Sequence, residues 1–146
     1  HTTDSQAEFH PKDPTTAKAL CAILNSTFMA LVFEFAGRNI ENRDKTISNQ
    51  IKIDEFRSIP CIDLRKLNSK IIKKLERAFD NISNRDVETL DKEIQKPDRT
   101  DLDKIVFIDI LGLKNNEMQE IREATAQLFM DRIQRLQEGE IEEESD

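Results

Sequence analysis

The 146-residue chain is poor in the residues that interrupt helices or cross-link a fold, with three glycines, four prolines and two cysteines. So little glycine and proline argues against a turn-rich β-sandwich or barrel and favours long helices. Two cysteines cannot build a disulfide scaffold, and together with the two histidines they form no zinc-binding pattern. Three glycines also leave no glycine-rich loop for a phosphate group.

Charge is distributed unevenly along the chain. The formal net charge is −7, from 22 basic and 29 acidic residues. Residues 61–77 hold six basic and two acidic residues, whereas residues 78–146 hold nine basic and 19 acidic residues and carry a net charge of −10. Because the field of the acidic half repels a polyanion, any contact with nucleic acid must be local and must lie in the first half.

Hydrophobic periodicity predicts a mainly α fold with a buried N-terminal helix. Apolar residues keep helical spacing over residues 15–36 on most faces of this helix, and Gly37 is a natural stop for it. Ile47, Ile51 and Ile53 then alternate with polar residues, which predicts a small β element at about residues 46–60 that Pro60 ends.

Three or four amphipathic helices are predicted to follow and to pack on the buried one. The first helix begins at Asn68 or Ser69. A short helix from Asn84 has Val87, Leu90 and Ile94 facing inward and ends at Pro97. The third helix runs from Thr100 or Asp101 to Gly112, and the last runs from Asn115 or Asn116 to about Gln137. We therefore expect an irregular arm over 1–13, a single helical domain over 14–137 and an acidic disordered tail over 138–146.

No catalytic or metal-binding residue is predicted. Cys21 lies among apolar residues of the first helix and is expected to be a small core residue, and Cys61 is expected to be packed rather than reactive. Asp101 and Asp103 are placed in the first turn of a helix, where carboxylates are stabilised electrostatically. His1 and His10 fall in the N-terminal arm.

Two local groups of polar and basic residues could bind DNA phosphates. One is a predicted loop after the buried helix and the β element that follows it; the other is the basic face of the 66–77 helix. The alternative is that both are ordinary solvated surfaces. The DNA-binding candidates are Arg38, Asn39, Arg43, Lys45, Lys52, Lys66 and Lys70.

The order of motifs over residues 19–64 resembles one known family. The stretch ALCAILNSTFMALVFEFAGRN is followed, after a polar loop, by ISNQIKIDEFRSIPCIDL, with Leu24-Asn25-Ser26, Gly37-Arg38 and Ile59-Pro60 in sequence. This resembles the end of the TaqI-like specificity region of adenine-specific DNA methyltransferases from restriction–modification systems. The stretch IVFIDILGL and the charged helix after it are similar to the helical tail that often follows that region.

The resemblance implies a non-catalytic C-terminal fragment of such an enzyme. The chain has prolines only at positions 11, 14, 60 and 97, so it lacks the Asn-Pro-Pro motif that grips the extruded adenine, and it lacks the family's glycine-bearing loop for S-adenosylmethionine. The cofactor and the methyl transfer would therefore belong to the parent enzyme. The fragment would support target recognition or close the DNA cleft.

The expected partners are DNA, reached through the parent enzyme, and the parent's remaining domains or a restriction or specificity subunit. A cytoplasmic location without membrane contact is expected. The alternative function is a helical protein-interaction module that docks such a subunit through its amphipathic helices. Loss of DNA binding when Arg38 and Lys45 are changed would favour the methyltransferase fragment. Loss of subunit assembly with unchanged DNA binding would favour the protein-interaction module.

Overall fold

A computed structural model of the chain describes residues 14–41 and 56–143, and the elements formed there are helical. This confirms the mainly α prediction. The helices are α1 (Pro14–Leu24), α2 (Thr27–Glu41), a 3₁₀ helix (Leu64–Lys66), α3 (Ser69–Ser83), α4 (Leu90–Glu93), α5 (Pro97–Asp103), a π-helical segment (Lys104–Ile110) and α6 (Asn115–Glu143).

The predicted β element is not seen in the described residues. Residues 46–55, with Ile47, Ile51 and Ile53, lie outside them. Within the described remainder of that element, Phe56 and Arg57 have helical backbone, and the Ile59 amide donates to the Phe56 carbonyl at 3.2 Å. Within residues 56–60, a local turn is present where the predicted element was expected to end.

The predicted continuous helix over residues 15–36 is wrong, because the chain breaks between α1 and α2. The two helices meet at an angle of 62°. Ser26 stabilises the break: its hydroxyl donates to the Ile23 carbonyl at 2.6 Å and accepts from the Met29 amide at 3.3 Å. Apolar periodicity continues through the break, so the pattern alone did not reveal it. The stop at Gly37 is also wrong, because α2 extends to Glu41.

Within the described part of the chain, no helix taken singly combines the length and apolar character of a membrane span. The bent pair Thr16–Leu24 and Thr27–Ala36 meets those limits only when its two halves are counted together.

The core forms where α3 packs against α1 on one side and against α5 on the other. Ala19 and Ala22 are completely buried on α1, and such small side chains let helix backbones approach closely. The buried core residues are Ala19, Ala22, Ile23, Met29, Leu75, Ala78, Ile82, Leu102 and Val106.

Helix α3 begins as local sequence chemistry dictates. The Asn68 side chain accepts a hydrogen bond from the Ile71 amide at 2.9 Å, which satisfies one of the free N–H groups of the first turn. The apolar residues Leu75, Ala78 and Ile82 are spaced by three and four positions and are buried. The predicted start at Asn68 is confirmed.

Several predicted helix boundaries in the second half are wrong. Pro97 begins α5 rather than breaking a helix, consistent with the tolerance of proline in a first helical turn. Helix α4 is limited to four residues, and the Val87 side chain before it is 66% exposed instead of facing inward. Helix α6 starts at Asn115 as predicted but continues to Glu143, so residues 138–143 are helical and not a disordered tail.

The chain turns from α5 into α6 through a widened helix and a glycine. The Leu111 amide donates to the Val106 carbonyl, five residues back, at 3.0 Å, which is the π-helical pattern. Gly112 then adopts a φ of +74°, a left-handed conformation that favours glycine. The predicted stop at Gly112 is confirmed.

Candidate functional site

The structure places only part of the predicted DNA-binding set. Arg43, Lys45 and Lys52 lie outside the described residues. The backbones of Arg38 and Asn39 belong to the last part of α2, so these two residues are not on the predicted loop. Two further candidates, Lys66 in the 3₁₀ helix and Lys70 in the first turn of α3, are exposed.

Three basic side chains form an exposed stripe along α3. Lys70, Lys73 and Arg77 are spaced by three and four residues, which places them on the same helix face, and all three are exposed. We call this set the basic stripe. No ion pair joins any of the three to another residue in the ranges 14–41 and 56–143. Like charges at these spacings weaken a helix by a few tenths of a kcal/mol, so the stripe carries a small local cost of its own.

The two acidic residues of α3 flank the basic stripe, because Glu76 follows Lys73 and Asp80 follows Arg77 by three residues. Asp80 accepts from the Lys18 ammonium of α1 at 2.8 Å, and Glu76 lies close enough to Lys18 to contribute to the raised pKa of that lysine, for which the Asp80 hydrogen bond is the main cause. The neighbouring Lys74 is paired with Asp109 at 2.7 Å. Within the described ranges, neither carboxylate of α3 forms an ion pair with a residue of the basic stripe.

A groove of about 430 Å³ lies beside the start of α3. Phe28 of α2, Ile62 and Leu67 line it, together with Ile110 and Leu111 at the end of the π-helical segment. Lys66 and Asp63 contribute the charged part of the lining. Leu111 is 40% exposed, so the groove leaves apolar surface open to solvent.

A buried ion pair, which the sequence did not predict, fixes the arrangement of α2, α5 and α6. Asp103 is fully buried and accepts from the Thr27 amide at 2.9 Å, the Thr27 hydroxyl at 2.6 Å and the Arg122 Nε at 2.9 Å. Burial raises the pKa of the Asp103 carboxyl, and the hydrogen bonds from Thr27 and the charge of Arg122 oppose that effect. Asp103 ends α5 and caps the first residue of α2, so its predicted position in a first turn is wrong.

Arg122 extends this network to three other groups. It donates to the Ile94 carbonyl, to the Thr100 hydroxyl at 2.9 Å and to the Gln119 amide oxygen at 3.1 Å. A sequence signal for the network existed: Arg122 lies four residues after Met118 and three before Thr125, both fully buried. A charged residue in phase with the apolar face of a helix predicts a buried, paired charge.

A second cluster of ion pairs links the segment after α3 to α4 and α5. Arg85 donates to Glu93 at 2.8 and 2.9 Å and to Asp98 at 2.6 and 2.9 Å. Glu93 is 1% exposed and also pairs with Lys96 at 3.1 Å. Arg85, with smaller contributions from the Glu88 amide and Lys96, lowers the pKa of Glu93 to about 2.

The low pKa of Glu93 predicts a stability loss in acid. In the folded state the pKa is about 2 and the ordinary value is 4.5, so the unfolded chain binds more protons between these pH values. The stabilisation is present above about pH 4.5 and is lost as pH falls towards 2, by up to about 3 kcal/mol for Glu93. Urea unfolding across this range should show the decline.

Glu93→Gln should flatten that part of the pH dependence, because glutamine does not titrate. The control is Glu120→Gln, which changes an exposed carboxyl of α6. If the control flattened the profile as much as Glu93→Gln, the buried cluster would not be the source of the acid sensitivity.

The prediction that Cys61 is packed is wrong, because Cys61 is exposed beside the groove. Desolvation raises the pKa of the Cys61 thiol, which disfavours the reactive thiolate. Cys21 is half-buried in α1. Across the described ranges, no cluster of three histidine, cysteine, aspartate or glutamate side chains is arranged to hold a metal ion.

Comparison with known proteins adds no relative: no family model, no curated protein and no solved structure matches the chain.

Proposed function

We propose that the chain is a non-catalytic C-terminal part of an adenine-specific DNA methyltransferase and that it contacts the phosphate backbone of DNA through the basic stripe. Two observations support this. The motifs Leu24-Asn25-Ser26, Gly37-Arg38 and Ile59-Pro60 resemble the end of that family's specificity region. The observation that carries the DNA contact is the basic stripe, which stays unpaired among the described residues of a chain with a net charge of −7.

The stripe suits phosphate contact and not base reading. Lysine and arginine on an exposed helix face reach phosphate oxygens and release counterions, whereas base recognition needs side chains inside a groove of the duplex. The stripe therefore contributes affinity and orientation. Sequence recognition and the binding of S-adenosylmethionine would belong to the rest of the parent enzyme, in the cytoplasm.

The residues at the end of α2 and beyond it remain candidates for the same contact. Arg38, Asn39, Arg43, Lys45 and Lys52 would extend the phosphate contact if the resemblance holds. Their contribution can be measured separately, because none of them belongs to α3.

We expect the purified chain to bind a fluorescein-labelled duplex weakly at low salt, with a Kd in the range of about 10⁻⁴–10⁻⁶ M typical of non-specific contact. The triple change Lys70→Ala, Lys73→Ala and Arg77→Ala should weaken binding by about tenfold or more. It should also reduce the slope of log K against log salt by up to about 0.9 for each phosphate that the variant no longer neutralises. Fluorescence anisotropy over a salt series measures both quantities.

The matched control is Lys92→Ala, Lys104→Ala and Arg135→Ala, which removes the same charge from exposed positions on other elements. Arg122 and Arg132 are unsuitable controls, because their ion pairs with Asp103 at 2.9 Å and Glu34 at 2.8 Å are largely buried. The ion pairs of Lys92 with Glu88 at 3.7 Å and of Lys104 with Asp101 at 3.5 Å are exposed and contribute little. Equal losses of affinity for the two triple variants would mean that only net charge matters, and an unchanged stripe variant would contradict the proposal directly.

A further inference from the structure

The groove beside α3 combines an apolar floor with a lysine at its edge. Phe28, Ile62, Leu67 and Leu111 supply the apolar surface. Its volume of about 430 Å³ exceeds that of one side chain and falls in the range of small-ligand pockets. The groove is therefore large enough to accept an apolar anchor residue together with its neighbours.

The acidic residue of the groove is already neutralised. Asp63 accepts from the Arg65 guanidinium at 2.9 and 3.0 Å, and it also caps the 3₁₀ helix by accepting from the Arg65 amide at 3.1 Å. These contacts from Arg65, with a smaller contribution from the charge of Lys66, lower the pKa of Asp63 to about 2. Asp63 is therefore ionised and already paired with Arg65.

Lys66 is different, because it forms no ion pair with any described residue. It is exposed at the edge of the groove, in a stretch that carries six basic and two acidic residues. The charge complement of this edge is therefore an anion placed next to an apolar group.

We propose that this groove docks a segment of another protein through an apolar anchor residue that is followed directly by a carboxylate, with the carboxylate paired to Lys66. A nucleobase is a poorer occupant, because recognition of a base requires several free polar partners and Asp63 is committed to Arg65. The docking is independent of the phosphate contact proposed for the basic stripe. It would give the fragment a place to bind another domain of its parent or a separate subunit.

The test uses two acetylated, amidated peptides, Ser-Gly-Phe-Asp-Gly-Ser and its Phe-Lys counterpart, titrated into the isotope-labelled chain and followed by amide NMR shifts. We expect the Phe-Asp peptide to shift the signals of Ile62, Leu67 and Leu111 with a Kd of about 1 mM, the weak end of specific recognition. Lys66→Glu should lower the affinity for the Phe-Asp peptide and raise the affinity for the Phe-Lys peptide. Each change should be about fivefold, which is the scale of an exposed ion pair. Leu111→Asp should abolish the binding of both peptides.

The control is Lys73→Glu, a change in the basic stripe that should weaken DNA binding and leave peptide affinity unchanged. Equal affinity of the two peptides for the unmodified chain would overturn the role of Lys66. Absence of peptide binding, or displacement of the groove signals by a duplex oligonucleotide, would overturn the docking proposal itself. The unperturbed signals of each variant spectrum report whether it is folded.

Discussion

Asp103→Ala should lower the free energy of unfolding by about 3–5 kcal/mol, because it leaves the Arg122 guanidinium buried without its counter-charge. Asp103 is fully buried and Arg122 is only 4% exposed, so water cannot easily replace the missing carboxylate. The change also removes the acceptor for the amide and hydroxyl of Thr27 at the start of α2. Urea denaturation monitored by circular dichroism measures the effect.

Two further variants separate charge from local helix effects. Asp103→Asn retains the shape and one acceptor oxygen, so its stability should fall between those of the wild type and the alanine variant. Asp101→Ala alters an aspartate of the same helix whose side chain is 70% exposed, and it should change stability by less than about 0.5 kcal/mol. A destabilisation by Asp103→Ala no larger than that by Asp101→Ala would show that the ion pair does not hold the helices together.

Leu75→Ala should destabilise the fold by about 2–5 kcal/mol, because Leu75 is fully buried at the contact between α1 and α3. Part of this destabilisation is the transfer of the side chain to water, and the rest is the cavity that the surrounding helices cannot close. Alanine has the highest helix propensity, so the effect cannot come from weakening α3 itself. The same denaturation measurement applies.

Val87→Ala is the matched comparison, because the sequence predicted an inward-facing valine and the structure exposes its side chain by 66%. Val87→Ala should lower the free energy of unfolding by less than about 0.5 kcal/mol, as ordinary surface substitutions do. A cost comparable with that of Leu75→Ala would mean that Val87 is buried and that the sequence pattern was right at this position.

The candidate site could be predicted only in part from the sequence. The excess of basic residues over 61–77 is visible in the composition, and it led directly to Lys66 and Lys70. The sequence does not show that Lys70, Lys73 and Arg77 form an unpaired stripe. This depends on the positions of two distant residues, because Lys18 pairs with Asp80 and Asp109 pairs with Lys74. Those partners are distant in sequence, at separations of 62 and 35 residues.

The sequence by itself determined the elements whose signals lie within a few neighbouring residues. The Asn68 cap, the spacing of Leu75, Ala78 and Ile82, and the left-handed Gly112 each act through contacts inside one or two turns. Only the tertiary structure decided the break between α1 and α2 and the contact of Asp103 with Thr27. The Asp103 carboxylate caps Thr27 from 76 residues away, and a contact of that range leaves no periodic signal in either helix.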